Sequence, residues 1–468
     1  MMRQKPTLKA LLEANAGKQL LLLGKEGIFT PQEIARFLKV YKVTPTHELT
    51  PEVVGVVEHH QLNPVEEMVS ESAYEQGLPL YKLLELEKLI SQEIDDDALL
   101  MAVKLSNDQA RVVRLLANEY LSDALFVKLL KLYRFGDVDE DSKEDRDVIV
   151  HTLRRYIAIN PNEEDLLQSY LTLRRLATEA TDPNLLEALM GFPNFSFLVR
   201  GKEKITLKET IARNPAVGKE SVAKLLGLRD AKVNISLAGN PSVESEVLHH
   251  LATLKDEAVD KALATNPAID DALFEQLLER GEAVVALLLV HQPLTQARWQ
   301  KARAAICDES LLAYAGLNEQ LEEGVKVQLL EAGSQPLWLM LAQNPTLTAS
   351  DIETLWQEEL EESFPALAAN PATPVWILEA LFDECSEEVA VLQGLGRNPR
   401  TPPAMLQALY NKGNIEINRA LATNASLPDD ILDELKLDTR LQTELAQNDR
   451  LAESFEAVLK QGKVMLNI

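Results

Sequence analysis

Between Asn214 and Asn370 the apolar positions of the chain return every 26 residues. Counted from each asparagine, places near 7, 8, 11 and 12 are apolar. They are Val222, Leu225 and Leu226 in one unit, Val247, Leu248 and Leu251 in the next, then Phe274, Leu277 and Leu278. That spacing is the buried face of a helix. Place 16 carries Asp230, Asp256, Glu282, Asp308 and Ser334, mostly residues that cap a helix N-terminus. A second, shorter helix follows. Its inner face holds Val233, Val259, Val285, Leu311 and Leu337, then Leu237, Leu263, Leu289 and Leu341. The pattern predicts two helical segments per unit, each unit covering its neighbours.

A phrase closes each unit: Leu237-Ala238-Gly239-Asn240, Leu263-Ala264-Thr265-Asn266, Leu341-Ala342-Gln343-Asn344 and Leu367-Ala368-Ala369-Asn370. Worn copies end at Gln292 and Asn318, and looser ones at Asn398, Asn424 and Asn448. Proline follows the asparagine in most copies and pushes it out of the helical region. Its side chain is then expected to cap the next helical turn, with proline at the first position. Asn214, Asn240, Asn266, Asn344, Asn370 and Asn398 are therefore read as a structural column. The phrase and its spacing resemble the leucine-rich repeat variant family over roughly 157–448. That resemblance implies alternating α- and 3₁₀-helical segments in a right-handed superhelical solenoid. HEAT-like α-helical repeats are the neighbouring architecture. The family relative with an N-terminal iron–sulfur cluster has cysteines that are absent here, so no cofactor is carried over.

Outside the array the signals differ. Residues 1–100 read as short helices punctuated by proline, with capped starts at Thr30-Pro31-Gln32-Glu33 and Thr50-Pro51-Glu52. Residues 1–50 hold eight Lys/Arg against four Asp/Glu, a solvated helical cap or a docking face for an acidic partner. Residues 101–213 read as degenerate helical repeats, with an acidic loop at 136–148 and a core cluster of Phe192, Phe195 and Phe197. The loop alternates acids as calcium loops do. However, Ser142 stands where the turn needs glycine, and Val148 where it needs a bidentate glutamate. The regular array and its C-terminal cap occupy 214–468. The expected fold is thus an all-α solenoid.

Charge and chemistry narrow the function. The net charge of -26 disfavours nucleic acid, whose binding draws on phosphate neutralisation by segregated cations. Cys307 and Cys385 occupy equivalent places three units apart, about 25–30 Å at the usual helix spacing, too far for a disulfide. No leader or membrane span is legible, so a cytoplasmic location is expected. Gly24-Lys25 lacks the frame of a phosphate loop, and the pairs His59-His60 and His249-His250 are poor chelates, since helical neighbours diverge by about 100°. No metal set or nucleophile motif stands out.

The expected function is a non-enzymatic protein-binding scaffold or adaptor. The alternatives are a nucleic-acid-binding helical repeat protein, and an enzyme or cofactor carrier with its site in the N-terminal region. Place 20 singles out a surface. It is polar early, at Asn234 and Asp260, is Ala286 next, and then becomes Leu312, Trp338 and Phe364 in consecutive units. Residues 351–400 hold eleven Asp/Glu against two Lys/Arg, among them Glu358, Glu359, Glu361 and Glu362. An apolar strip beside carboxylates suits a basic amphipathic helix as partner. Trp376, at a place mostly polar in other units (Glu220, Glu246, Arg298, Ser350), is a further candidate for exposure.

Overall fold

The computed structural model describes residues 5–25, 27–59, 61–136, 142–157, 170–199 and 203–451. Of the acidic loop expected at 136–148, residues 137–141 lie outside the described residues, as do the repeat phrase at 158–161 and the terminal segment 452–468; from Lys143 the stretch is instead the first turns of a helix, Lys143–Tyr156, capped by Ser142. The chain divides into two compact units, Met1–Ser236 and Leu237–Ile468.

The expectation of an all-α chain fails in the first unit, which opens on a parallel sheet. Strands β1 (Gln19–Leu23), β2 (Thr44–Thr46), β3 (Val53–Glu58) and β4 (Leu80–Lys82) stand in the order β2-β1-β3-β4. The reason is visible in the residues. Leu20–Leu23 and Val53–Val57 are short, unbroken apolar runs rich in β-branched or branched side chains, the signature of strands covered on both faces. Leu20, Leu21, Val56 and Val57 are at most 1% exposed. The helices Pro31–Val40 and Pro64–Glu75 make the crossovers, each opened by a capping box, Thr30 with Glu33 and Asn63 with Glu66. Thr50-Pro51-Glu52, by contrast, leads into β3 rather than a helix.

From Asp96–Ser106 onward the first unit is mostly helical. The buried pair Glu33–Arg111 ties the crossover helix Pro31–Val40 to the helix Gln109–Leu116. The phenylalanine cluster is a core, as expected, with Phe192 and Phe197 2% exposed and Phe135 packed on Phe192 at 4.5 Å. It sits beside an antiparallel hairpin that the helical reading did not foresee, β5 (Ser196–Val199) with β6 (Glu203–Thr206).

The second unit is a succession of helix pairs. Among them are Ser245–Ala252 with Glu257–Ala264, Asp271–Leu278 with Glu282–His291, and Val375–Glu384 with Val389–Arg397. Place 16 caps as expected at Asp256, Asp308 and Asn414, whose side chains accept N–H bonds from the second helix. One unit has a second helix of a single α-turn, Glu309–Leu312, continued as 3₁₀-helix over Ala313–Leu317. Gly316 lies so close to the following unit that a Cβ there would stand 2.7 Å from the Leu341 backbone nitrogen.

The asparagine column is structural, but its job is not the expected cap. Asn214, Asn370 and Asn398 each end the preceding helix in extended conformation, near φ -70°. The next helix starts about four residues later under other caps, such as Thr348 or Pro374. The Oδ1 atom accepts the N–H two residues on at 2.6–3.2 Å, closing an Asx turn, at Asn240, Asn266, Asn344 and the others. The Nδ2 group reaches back one unit. In the second unit it donates at 2.6–3.1 Å to two carbonyls of the preceding phrase, as Asn344 does to Gly316 and Asn318. Within the first unit Asn214 donates to Ala177, Thr178 and Ala180. Every member of the column is at most 3% exposed.

This geometry sets the cost of losing one. Asn344→Ala strands two buried carbonyls and opens the turn at Thr346. The expected destabilisation is about 2 kcal/mol or more, above the ~1 kcal/mol of a lost cap. Asn344→Asp keeps the turn acceptor but sets a carboxylate against two carbonyl oxygens, and it should destabilise at least as much. Urea titration of both variants checks this; an Asp variant as stable as the parent refutes the ladder.

Candidate functional site

The place-20 residues occupy a seam rather than an open strip. Asp260 is buried there and paired with Arg280 at 3.4 Å; burial pushes its carboxyl up, and the guanidinium pulls it back. In later units the same place is filled by half-buried apolar groups. Trp338 donates its Nε1–H to the Leu330 carbonyl at 3.0 Å, folding its ring over the end of its own unit's first helix. Phe364 packs on Trp356, ring centroids 5.1 Å apart. Leu312 lines a cleft with Trp299. Trp338 and Phe364 are each partly accessible and partly engaged in holding two helices together. Trp376 is 51% exposed. Glu358, Glu359, Glu361 and Glu362 are exposed on the turn between Ala349–Gln357 and Phe364–Ala369, and make no ion pair among the described residues.

The surface that sequence reasoning missed lies one or two places further on. A groove of about 510 Å³ crosses the second helices Glu282–His291, Glu309–Leu312 and Gln335–Leu341. Its apolar lining includes Ala286, Leu311, Tyr314, Leu339 and Met340, with Glu282 and Asp308 among its residues. Leu311 was expected inside the core and is only half-buried, because it faces this groove. The signal was present at places 21 and 22, where Leu339, Tyr314 and Met340 stand.

In an open parallel sheet, ligands bind beyond the strand ends where the strand order reverses, here between β1 and β3. That crevice is occupied by the chain itself. Gly24 turns at φ +97° and gives its N–H to Glu66 at 3.1 Å, and a Cβ on Gly24 would stand 2.5 Å from that of His59. Three cations of the basic N-terminal stretch are paired within the first unit: Lys5 with Glu85 at 3.5 Å, Lys9 with Glu93 at 2.7 Å and Lys18 with Glu52 at 2.6 Å. In the second unit Arg298 is held by Asp271 at 2.7 Å and Lys326 by Asp351 at 3.1 Å. Ser245, His249 and Asp270 do meet. Yet the hydroxyl donates to Asp270 at 2.5 Å, and the His249 Nε2 also lies on that carboxylate, at 2.9 Å. A nucleophile relay needs a hydroxyl–imidazole bond, and here both groups serve the acid. Among the described residues no cluster of metal-ligating side chains forms, no helix is long and apolar enough to cross a membrane, and Cys307 and Cys385 are free.

Fold and surface together define a helical repeat array in the second unit, preceded by a parallel α/β sheet. Comparison with protein-family models, with curated proteins and with solved structures finds no match to this chain.

Asp270 has a legible pH consequence. The Ser245 hydroxyl, the Leu273 N–H and His249 together hold its carboxyl down at about 2. Its folded value lies below the unfolded one near about 3.9, so its stabilising contribution is complete above the unfolded value. The contribution is lost as pH falls from about 4 to 2. The side chain is 44% exposed, so the contribution is on the order of 1 kcal/mol after solvent screening. The stability gap between parent and Asp270→Asn should be present at pH 7 and close by about pH 2. A gap that is constant with pH in chemical denaturation removes the charge argument.

Proposed function

We propose that the protein is a cytoplasmic, non-enzymatic docking scaffold whose second unit binds a basic amphipathic helix. The observation that carries this reading is the groove over the second helices. Its apolar lining stands beside Glu282 and Asp308, in a chain of net charge -26. An amphipathic helix would lay its apolar face on Tyr314, Leu339 and Met340, while its cations meet the carboxylates and steer approach. The exposed glutamates at 358–362 extend the acidic field within the same unit. The array is read as a right-handed solenoid of the leucine-rich repeat variant kind, on the strength of its phrase and period. Such arrays work by presenting long surfaces built from successive units.

The test is fluorescence anisotropy with a labelled Leu/Lys amphipathic peptide, an acidic peptide of the same pattern, and single-stranded DNA. The basic peptide should bind, and salt should weaken it. Tyr314→Ala should cost more than ~1 kcal/mol of binding, as central aromatic anchors do, and Leu339→Glu more. Neither should shift the thermal midpoint as a core deletion would, since Tyr314 is 36% exposed. Peptide binding indifferent to both substitutions overturns the groove. Tighter binding of DNA than of peptide overturns the partner class.

A further inference from the structure

On the other side of the short helix Glu309–Leu312, the seam between first and second helices opens into a cleft of about 340 Å³. That volume lies within the range of small-molecule sites. Two polar side-chain atoms among the cleft residues are buried without a partner, the Trp299 Nε1 and the Ser334 Oγ. Trp299 is 4% exposed. Leaving such a group unpaired costs roughly 1–3 kcal/mol, so each one needs an explanation.

For Ser334 the local cause is clear. It stands at place 16, where Asp256 accepts N–H bonds from the second and third residues beyond and Asp308 from the second. The second residue beyond Ser334 is Pro336, which has no N–H, and the Ser334 side chain caps nothing. Trp299 is unlike Trp338 of the next repeat, whose indole N–H is satisfied by the Leu330 carbonyl of its own repeat.

The charged groups of the cleft are also unspent. Arg303 extends over the Trp299 ring, its guanidinium carbon 6.0 Å from the centroid, and makes no ion pair among the described residues. Glu309 and Glu331 line the same cleft, likewise without an ion pair among the described residues. Cation and carboxylates therefore share a cleft without bridging. Leu312 and Leu337 supply apolar wall. A simple anion would meet two glutamates, and a simple cation would meet Arg303. A ligand carrying both charges meets neither objection.

We propose that this cleft binds a small zwitterion, a free α-amino acid with an apolar side chain. Its carboxylate takes Arg303 as donor, and a side-chain rearrangement on binding turns the sealed Trp299 N–H and Ser334 hydroxyl towards it. Its ammonium group takes Glu309 and Glu331, and its side chain rests on Leu312 and Leu337. This site is separate from the helix groove and does not depend on that reading.

Trp299 makes the cleft report on itself. The full chain is titrated with L-leucine, L-methionine and L-phenylalanine, followed by tryptophan emission and by calorimetry. The single-charge analogues 4-methylpentanoate and 3-methylbutylamine run alongside. A saturable response is expected for at least one amino acid below about 1 mM, with either analogue about tenfold weaker or worse. Arg303→Gln and Glu331→Gln remove exposed charges, so the fold should hold, as melting curves will show. Each should weaken binding about tenfold. No saturable heat or emission change up to about 10 mM for all three amino acids overturns the proposal. So does binding unchanged in both variants. An analogue with one charge that binds as tightly as leucine overturns the zwitterion.

Discussion

The second unit depends on one side-chain amide used in two directions. An asparagine that has just left a helix is in extended conformation, so its Oδ1 can close a turn while its Nδ2 points to the unit behind. Each amide satisfies carbonyls at the end of the preceding phrase, including the carbonyl of the preceding asparagine. The column is thereby a ladder in which every rung both donates and accepts. Buried polar groups of this kind are stabilising only when fully paired, which explains why the residue type varies so little. Gln292 shows the tolerance of the device. Its longer side chain still donates to Ala264 and Asn266 at 2.8 and 2.9 Å, but its Oε1 is left buried and unpaired. The extra methylene keeps the rung and loses the turn.

The period, the two helices per unit and the place-16 caps were legible because each is a local rule repeated many times. The ladder's direction was not. Proline after asparagine says only that the asparagine is non-helical, and a lone unit cannot reveal that the amide serves its neighbour. The N-terminal sheet was missed for a different reason. Leu20–Leu23 and Val53–Val57 carry no alternation, and a short apolar run buried on both faces reads alike as strand or helix. Proline at Pro31 and Pro64, where the crossover helices begin, reinforced the helical reading of the whole region.

Place 20 was legible as a change of character but not as a location. Asp260 with Arg280 and Trp338 with the Leu330 carbonyl are two ways of filling one seam, and a seam residue is half core and half surface. A helix in such a pair has three environments: the inner face against its neighbours, the seam against its partner helix, and the outer face. Sequence periodicity separates the first from the other two. Seam and outer face differ by a single step around the helix, and Leu311, Leu312 and Tyr314 show all the consequences within four residues.

Both cavities of the second unit described above gather where the repeat is most worn. Gln292 has replaced the asparagine there, Glu319 stands where Asn318 would precede proline, the second helix has shrunk to Glu309–Leu312, and Pro336 has disabled the cap at Ser334. Each departure relaxes a packing demand. The 3₁₀ segment brings Gly316 close against Leu341 and carries the exposed Tyr314, and the uncapped start of Gln335–Leu341 leaves the Ser334 hydroxyl unpaired in the cleft it shares with Trp299. A regular unit commits its rung amide, in both directions, to its own turn and to the unit behind. In an array held by a ladder that tolerates a worn rung, the irregular units are the ones free to acquire a ligand, because the regular units on either side keep the stack together.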